Sequence, residues 1–265
     1  MIQAYFGFKR TPFTKELSTS QMLDSFDFKE ASARLQVLKA TRGIFCLTGE
    51  PGAGKTSVLR RFVNDLNPQT HAHCYTPHAT VNRSDLYRQL NHLLKLPARV
   101  RKSDLFEQIQ RAIFELHSSQ GKTPVIILDE AHLMDHDTLQ ELILITNFQM
   151  DSKVPFLLVL IGQPDLRETL KRRIHEPLNQ RITLRYHMAG LQTDEEASDY
   201  VRHHLKIAGR TDPLFEEPAV KILRQLGQGL PRKIGNLAHA AMTLAMVDRV
   251  QTINADLVVR ASQGI

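Results

Sequence analysis

The chain has 265 residues, of which 42% are hydrophobic, and its 34 lysines and arginines outnumber its 28 acidic residues to give a net charge of +6. This length suits one large domain or a domain with a smaller companion, and the basic balance is compatible with a polyanionic partner. No apolar run approaches the roughly 20 residues needed to cross a bilayer, and the N-terminus lacks the basic and apolar regions of a signal peptide. We therefore expect a cytoplasmic protein without a membrane partner.

Residues 1–42 precede the first predicted core strand and are rich in phenylalanine. Five of the 12 phenylalanines fall here: Phe6, Phe8, Phe13, Phe26 and Phe28. Large apolar side chains are usually buried, which favours an arm packed on the core. The alternative is that part of the arm closes over an adenine ring. Within the segment, residues 27–39 carry apolar side chains at helical spacing and predict an amphipathic helix.

The apolar run Ile44–Leu47 predicts a buried parallel strand, and the residues after it fit the phosphate-loop pattern G-x-x-x-x-G-K-[ST]. The loop consists of Gly49, Glu50, Pro51, Gly52, Ala53, Gly54, Lys55 and Thr56. Glycines let the backbone wrap closely around phosphate, and successive N–H groups at a helix N-terminus favour anions. We expect the loop and Ser57 to bind ATP, with Lys55 on the β- and γ-phosphates and the Thr56 hydroxyl on Mg²⁺.

The rest of the chain predicts strands first and then helices alone. Four further segments predict strands: Ala72–Tyr75, Pro124–Leu128, Pro155–Ile161 and Ile182–Tyr186. After Gly190 four segments predict helices: Thr193–Ile207, Glu217–Leu226, Pro231–Val247 and Asn254–Ser262. Strands that alternate with helices, followed by helices only, indicate an α/β nucleotide-binding domain with a parallel sheet and then a small helical domain. We expect an N-terminal arm at 1–42, the core at 43–190 and the helical domain at 191–265.

Two acidic residues, Asp129 and Glu130, follow the apolar strand Val125–Leu128, which is the pattern of a Walker B element. Ligands of parallel sheets lie outside the carboxyl ends of the strands. We expect Asp129 to hold Mg²⁺, directly or through water, and Glu130 to orient and activate the attacking water. The alternative is a pair of acids at an ordinary strand end.

A third polar residue, Gln163, follows the predicted strand Pro155–Ile161 and is separated from it by one glycine. Its amide could bond the γ-phosphate or the attacking water. Equally, Gln163 could be a turn residue before Pro164.

Five motifs in order resemble the ExeA-like branch of the AAA+ ATPases, which includes the secretion ATPases ExeA or GspA and transposition ATPases related to TnsC, TniB and MuB. These motifs are Gly49–Thr56, Asp129–His132, Gly162–Leu166, Asn179–Ile182 and Gly229–Arg232. The resemblance covers essentially the whole chain. It implies a five-stranded AAA+ core followed by an all-helical lid.

The resemblance also implies roles for single residues. Gln163 matches the first sensor, Arg181 matches an arginine finger that completes a neighbouring subunit's site, and Arg232 matches the second sensor on the γ-phosphate. A guanidinium neutralises charge that develops on phosphoryl oxygens. The chain departs from the pattern at Ile143, where relatives commonly carry an arginine.

The resemblance implies an ATPase that forms a homo-oligomeric ring or filament on double-stranded DNA and recruits or activates a transposase. Secretion members continue beyond the ATPase region, whereas this sequence ends at Ile265, soon after the predicted lid. The alternatives are a secretion or envelope-assembly ATPase and an ATPase similar to replication initiators and helicase loaders.

The densest basic stretch lies between the second strand and the Walker B element. Five candidate DNA contacts occur there: Arg83, Lys95, Arg99, Arg101 and Lys102. Sequence-independent binding to duplex DNA comes from lysines and arginines on phosphates. The alternative is a solvated face, which charge runs commonly are.

The cysteines and histidines do not predict a metal site. Cys46 and Cys74 each fall in a predicted strand, which favours buried thiols and not a disulfide. Two histidine pairs, His71 with His73 and His203 with His204, lack a carboxylate or thiolate at ligand spacing. We expect these histidines at the surface.

Overall fold

A computed structural model describes residues 2–77 and 82–264. Its five strands form one parallel sheet in the order β2-β3-β4-β1-β5. The strands are β1 (Gly43–Gly49), β2 (His71–Thr76), β3 (Thr123–Leu128), β4 (Leu157–Gly162) and β5 (Ile182–Met188). The predicted fold class is therefore confirmed. Every residue of β1, β3 and β4 is buried, as expected for the continuously apolar strands of a sheet covered on both faces.

The strand register aligns the sequence motifs at one edge of the sheet. Thr48 on β1 lies beside Gly162 on β4, and Leu128 on β3 lies beside Leu160 on β4. The carboxyl ends of these three strands consequently meet at the same edge. The phosphate loop leaves the sheet there, and Asp129 and Gln163 follow their strands at that edge.

Twelve α-helices flank or follow these strands in the described part of the chain. Those before β5 are α1 (Ile2–Phe6), α2 (Phe26–Thr41), α3 (Lys55–Asn64), α4 (Arg83–Leu93), α5 (Lys102–Ser118), α6 (His136–Ile145), α7 (Pro164–Lys171) and α8 (Glu176–Arg181). Those after it are α9 (Asp194–Ile207), α10 (Glu217–Leu226), α11 (Pro231–Val247) and α12 (Ala255–Ser262). The predicted helical character of the C-terminal part is confirmed.

Side-chain caps explain where several helices begin. The Thr193 hydroxyl accepts the Glu196 N–H and Glu196 reaches back to the Thr193 backbone, which forms a capping box at α9. Asn254 caps α12 by accepting the Leu257 N–H. The α4 helix is capped by Asn82, since its side chain accepts the N–H of the third helical residue.

The chain divides into two compact units. One contains residues 1–30, 50–61 and 188–265, and the other contains residues 31–49 and 62–187. Each has its own apolar core, built from sheet, α4, α5 and α6 residues in the second unit and from the C-terminal helices in the first. Among the described residues, no helix is both long and apolar enough to span a membrane. The three-part division at 42 and 190 stays a prediction.

In the first unit, Arg61 on α3 holds the N-terminal arm. Its guanidinium donates to the backbone oxygens of Thr19, at 2.8 and 3.1 Å, and of Met22, at 3.2 Å. It also pairs with Asp24 at 2.8 Å and lies 4.8 Å from the centre of the Phe28 ring. A single side chain thereby contacts four residues of the arm.

The aromatic residues of the arm divide into buried and exposed groups. Phe6 and Phe8 pack in the core of the first unit, and Phe28 is also buried, as expected for an arm that buries its apolar side chains. Phe13 stacks on His204 at 5.1 Å. Phe26, by contrast, is 64% exposed.

One histidine prediction is wrong, and the cysteine prediction is confirmed. His204 is buried between Phe13 and Tyr200 and is not at the surface. Its removal from water, with His203 and Arg10 nearby, lowers its pKa to about 4. Cys46 and Cys74 are buried free thiols, and burial raises the pKa of each to about 12.

Candidate functional site

The phosphate loop joins the end of β1 to the start of α3. Gly52 and Gly54 have φ values of +91° and +107°, a region that glycine adopts far more easily than other residues. The N–H groups of Gly52, Gly54 and Thr56 donate no hydrogen bond to a described residue. Unpaired donors at a helix N-terminus suit an anion. The loop therefore fits the phosphates of ATP.

The polar side chains that follow the glycines lie in the first turn of α3. Lys55 is the first residue of α3, and its Nζ donates to the Glu50 carbonyl at 3.0 Å, so the ammonium lies over the loop. Thr56 is exposed, with its hydroxyl available to a cation. Ser57 donates its backbone N–H to the Gly54 carbonyl at 2.9 Å, which starts the helix.

In the same unit, the N-terminus of α11 lies against the phosphate loop. The Arg232 N–H donates to the Gly52 carbonyl at 3.3 Å. A Cβ placed on Gly52 would lie 2.7 Å from the Arg232 Cβ. The Arg232 side chain is exposed and forms no ion pair with any described residue. The backbone contact thus puts this predicted sensor beside the loop, with its guanidinium free to meet phosphate.

In the second unit, Asp129 is buried at the end of β3 and both of its carboxylate oxygens accept a hydrogen bond. Tyr75 on β2 donates its hydroxyl to Oδ2 at 2.7 Å, and the Glu130 N–H donates to Oδ1 at 2.9 Å. Each oxygen keeps another lone pair. A carboxylate held in this way fits a ligand of Mg²⁺ or of its water. Burial first, and then the bond to Asp129, raise the pKa of Tyr75.

Glu130 occupies a strained backbone conformation. Its φ of 53° and ψ of 36° are left-handed, which costs a non-glycine residue on the order of 1–3 kcal/mol, and such conformations cluster at functional sites. Its Oε2 lies 3.4 Å from Nδ1 of His132, whose side chain is buried. The Glu130 side chain is half-exposed, so a water molecule can reach its carboxylate.

His132 links the Walker B element to the end of β4. The Gln163 N–H donates to His132 Nδ1 at 3.4 Å. The Gln163 side-chain amide forms no hydrogen bond with a described residue. Gln163 is the N-cap residue of α7, but its side chain makes no capping hydrogen bond. The amide is therefore available for the predicted sensor role.

Arg181, the last residue of α8, is ion-paired within its own chain. Its Nη1 bonds Oδ1 of Asp151. Asp151 belongs to a turn in which Gln149, Met150 and Asp151 all have positive φ, and Met150 is 97% exposed. Only 23% of the Arg181 side chain is exposed. In the isolated chain the predicted finger thus contacts a carboxylate.

The five candidate DNA contacts differ in their surroundings. Arg83 pairs with Asp137 at 2.6 Å. Lys102 pairs with the buried Glu141, which also accepts the Tyr87 hydroxyl at 2.6 Å. The other three are exposed and have no acidic partner among the described residues: Lys95, Arg99 and Arg101. Ile143, the departure from the family pattern, packs against the core of the second unit.

A family comparison accounts for this set of motifs. Residues 38–170, half of the chain, match the model of the AAA domain. The chain belongs to the AAA family. It is an ATPase that uses ATP with Mg²⁺. When bound, Mg²⁺ would neutralise the charge that develops on the phosphate oxygens.

A curated relative points to one branch of this AAA family. The chain is 32% identical over 248 residues to General secretion pathway protein A of Aeromonas hydrophila. That match covers 92% of this chain and 45% of the relative, so the chain spans less than half the relative's length. The similarity supports the predicted ExeA/GspA-like assignment.

Solved structures share the AAA fold at low sequence identity. Cdc6p of Pyrobaculum aerophilum superposes with a TM-score of 0.65 at 15% identity, covering 94% of this chain and 71% of that one. ORC2 of Aeropyrum pernix gives 0.66 at 13%, covering 97% and 72%. RuvB of Thermotoga maritima gives 0.59 at 20%, covering 92% and 70%. These similarities include the helical part as well as the sheet.

Two residues of the site were missed by the sequence analysis, namely Tyr75 and His132. Tyr75 ends a predicted strand, and its partner Asp129 is 54 residues away in the sequence. His132 stood inside a recognised motif but had no assigned role. A polar side chain at the end of a strand next to β3 was the available signal for Tyr75.

Proposed function

We propose that this ATPase forms ATP-dependent oligomers on double-stranded DNA and acts in DNA transposition, where it selects the target and recruits or activates a transposase. The resemblance to transposition ATPases of the ExeA-like branch supports this function. A single feature of the surface carries the DNA-binding part: a basic loop, 94–101, between α4 and α5.

The basic loop offers three unpaired cations. Lys95, Arg99 and Arg101 are exposed and have no acidic partner among the described residues, and Val100 between the arginines is 88% exposed. Cations that are already paired within the protein gain less from a phosphate, because they must first lose that partner. The unpaired residues are therefore better suited to DNA phosphates than Arg83 and Lys102.

The test replaces Lys95, Arg99 and Arg101 together by glutamate. Binding to two unrelated duplexes is measured across a salt series with a non-hydrolysable ATP analogue. Each lost phosphate contact lowers the slope of log K against log salt by about 0.9, so three contacts lower it by about 2.7. Affinity should fall equally for both duplexes, since phosphate contacts carry no sequence information.

The matched control makes the same charge change elsewhere. It replaces three exposed residues on α9 and α10 by glutamate: Arg202, Lys206 and Lys221. If the effect came only from net charge, the control would bind as poorly as the loop variant. An unchanged affinity and salt slope in the loop variant would exclude this loop as the DNA contact.

Oligomer formation has its own candidate residue in Arg181. We infer that Arg181 leaves Asp151 and contacts the nucleotide of a neighbouring subunit, where its charge stabilises the transferred phosphoryl group. Both partners of the pair retain solvent access, and such pairs contribute about 0.2–1 kcal/mol. Exchanging the pair with Asp151 for a contact with phosphate therefore costs Arg181 little free energy.

A second candidate function is a secretion or envelope-assembly ATPase. The observation that favours it is the 32% identity to General secretion pathway protein A, which extends over 92% of this chain. An ATPase of this kind need not contact DNA, and its basic loop would then be a solvated surface or a protein contact.

One comparison separates the two candidates. ATP hydrolysis is measured with and without duplex DNA, and the gene is disrupted in its own host. Stimulation by DNA together with a reduced transposition frequency supports the first function. Indifference to DNA together with loss of secreted protein supports the second and overturns the first.

A further inference from the structure

The hydrogen bond from Tyr75 to Asp129 connects an edge strand to the Walker B element. Strand β2 pairs in parallel with β3, so that Tyr75 lies beside Ile127 and Thr76 beside Leu128. The Asp129 N–H extends this pairing by donating to the Thr76 carbonyl at 3.0 Å. The backbone of Asp129 is consequently fixed by β2. The Tyr75 hydroxyl then reaches Oδ2 of the same residue at 2.7 Å.

The two donors on Asp129 determine how its carboxylate is oriented. The terminal torsion of an aspartate is broad when nothing restrains it. Here Oδ2 accepts from Tyr75 and Oδ1 accepts from the Glu130 N–H, so rotation would break both bonds. Restraint of this kind preorganises a ligand before the cation arrives.

We propose that Tyr75 is a positioning residue for Mg²⁺: its hydroxyl holds the Asp129 carboxylate in the orientation that binds the cation or its coordinated water. A phenol is protonated at neutral pH and therefore donates. A carboxylate oxygen is the kind of ligand that a hard cation prefers. Hydrogen-bond partners of metal ligands change metal affinity about 10- to 100-fold when they are removed.

A purely structural role is the competing explanation. Tyr75 is 38% exposed on an edge strand, and its bond could serve only to tie β2 to β3. In that case its loss would lower the free energy of unfolding without changing how Mg²⁺ affects nucleotide binding. The two roles therefore differ in a binding measurement that stability alone does not alter.

The chain contains a matched control for this test. Tyr87 on α4 also donates its hydroxyl to a carboxylate, that of Glu141, at 2.6 Å and across the same sequence separation of 54 residues. Its partner lies on α6, away from the Walker B acids. Tyr75→Phe and Tyr87→Phe each remove one hydroxyl and one tyrosine–carboxylate bond. Only the first touches the proposed metal ligand.

The experiment measures the dissociation constant of a fluorescent ATP analogue in EDTA and in Mg²⁺, with the full chain. The constant in EDTA divided by the constant in Mg²⁺ reports how much the metal strengthens nucleotide binding. Tyr75→Phe should lower this ratio about tenfold and leave the constant in EDTA unchanged. Tyr87→Phe should leave both constants unchanged. Thermal unfolding of both variants monitors the fold, and the larger loss of stability should occur in Tyr87→Phe, because Tyr87 is buried whereas Tyr75 is partly exposed.

Three outcomes have distinct meanings. An unchanged ratio in Tyr75→Phe overturns the positioning role, as does an equal loss in Tyr87→Phe. Asp129→Asn tests the underlying assignment of the ligand, because it should lower the ratio at least as far as Tyr75→Phe. If Asp129→Asn leaves the ratio unchanged, Asp129 is not the metal ligand and the positioning role fails with it.

Discussion

Replacing Gly52 by alanine tests whether the approach of α11 requires a glycine in the phosphate loop. At its φ of +91°, an L-residue pays about 1–2 kcal/mol. The added Cβ would also lie 2.7 Å from the Arg232 Cβ, well inside the usual carbon–carbon contact of about 3.5–4.0 Å. Overpacking of this kind costs about 1–3 kcal/mol.

The two terms together predict that Gly52→Ala lowers the free energy of unfolding by about 2–5 kcal/mol. Since the loop and α11 must separate, the N–H groups of the loop shift as well. We expect ATP to bind about tenfold more weakly, which corresponds to about 1.4 kcal/mol. Urea unfolding and titration with a fluorescent ATP analogue measure the two effects.

Gly121→Ala separates backbone strain from the close approach. Gly121 also has a positive φ, +64°, but a Cβ there would meet nothing within 4 Å. This control should lose only the backbone term, about 1–2 kcal/mol, and bind ATP normally. If Gly52→Ala matched Gly121→Ala in both stability and ATP affinity, the contact with Arg232 would have no energetic consequence and the reasoning would be refuted.

Three further predictions concern catalysis, assembly and pH. Glu130→Gln should bind ATP normally but lose most ATP turnover, because the attacking water loses its acceptor while the phosphate loop is intact. Lys55→Ala, by contrast, should weaken ATP binding itself. Normal turnover in Glu130→Gln would disprove the assignment of Glu130 as the residue that activates water. Arg181→Ala should bind ATP without hydrolysing it. Mixing it with Lys55→Ala subunits should restore some ATP hydrolysis, because the intact nucleotide site of the first variant then meets the intact Arg181 of the second. No recovery in subunits that co-assemble would argue against an arginine finger that acts between subunits. His204 has a folded pKa of about 4, below its unfolded value of about 6.5, so its contribution to stability is intact above pH 6.5 and falls by about 3 kcal/mol as the pH drops to about 4. The free energy of unfolding, measured in urea between these pH values, should depend less steeply on pH in His204→Phe than in the unchanged protein. Equal pH dependence in the two proteins would contradict the assignment.

The fold could be predicted because its strongest signals are local. Continuous apolar runs marked β1, β3 and β4, which are buried on both faces. In the helical part, the predicted limits of α10 and α11 agree with the structure, since Pro231 starts one helix and Gly227 follows the other. The cap of α4 was less predictable, because Ser84 and Asn82 are both good capping residues and only the backbone geometry selects Asn82.

The partners of charged side chains could not be predicted, because they lie far apart in sequence. Lys102 is one of the five predicted DNA contacts, but it pairs with Glu141, which is 39 residues away on a helix whose pattern does not reveal a buried acid. Arg181 and Asp151 are 30 residues apart. The spacing of apolar residues in a sequence indicates the type of an element and its buried face, but not which side chains of different elements contact one another.

The burial of His204 can be predicted from the sequence, because this residue falls on an apolar stripe. Ala197, Val201 and Leu205 form an apolar stripe on α9, and His204 lies three residues after Val201 on the same face. A lone histidine on such a stripe is more often a packed core residue than a surface one. The adjacent His203, which contacts the Gln21 carbonyl at 2.7 Å, made the pair look uniformly polar.

The contacts of Arg61 have a consequence for how freely the N-terminal arm can change. Two of its three acceptor residues are recognised through main-chain oxygens, which every amino acid supplies. Substitutions at Thr19 and Met22 would leave those bonds in place, whereas a change at Arg61 would remove them all at once. At these two positions the arm can therefore diverge in sequence, as long as the arginine on α3 is kept.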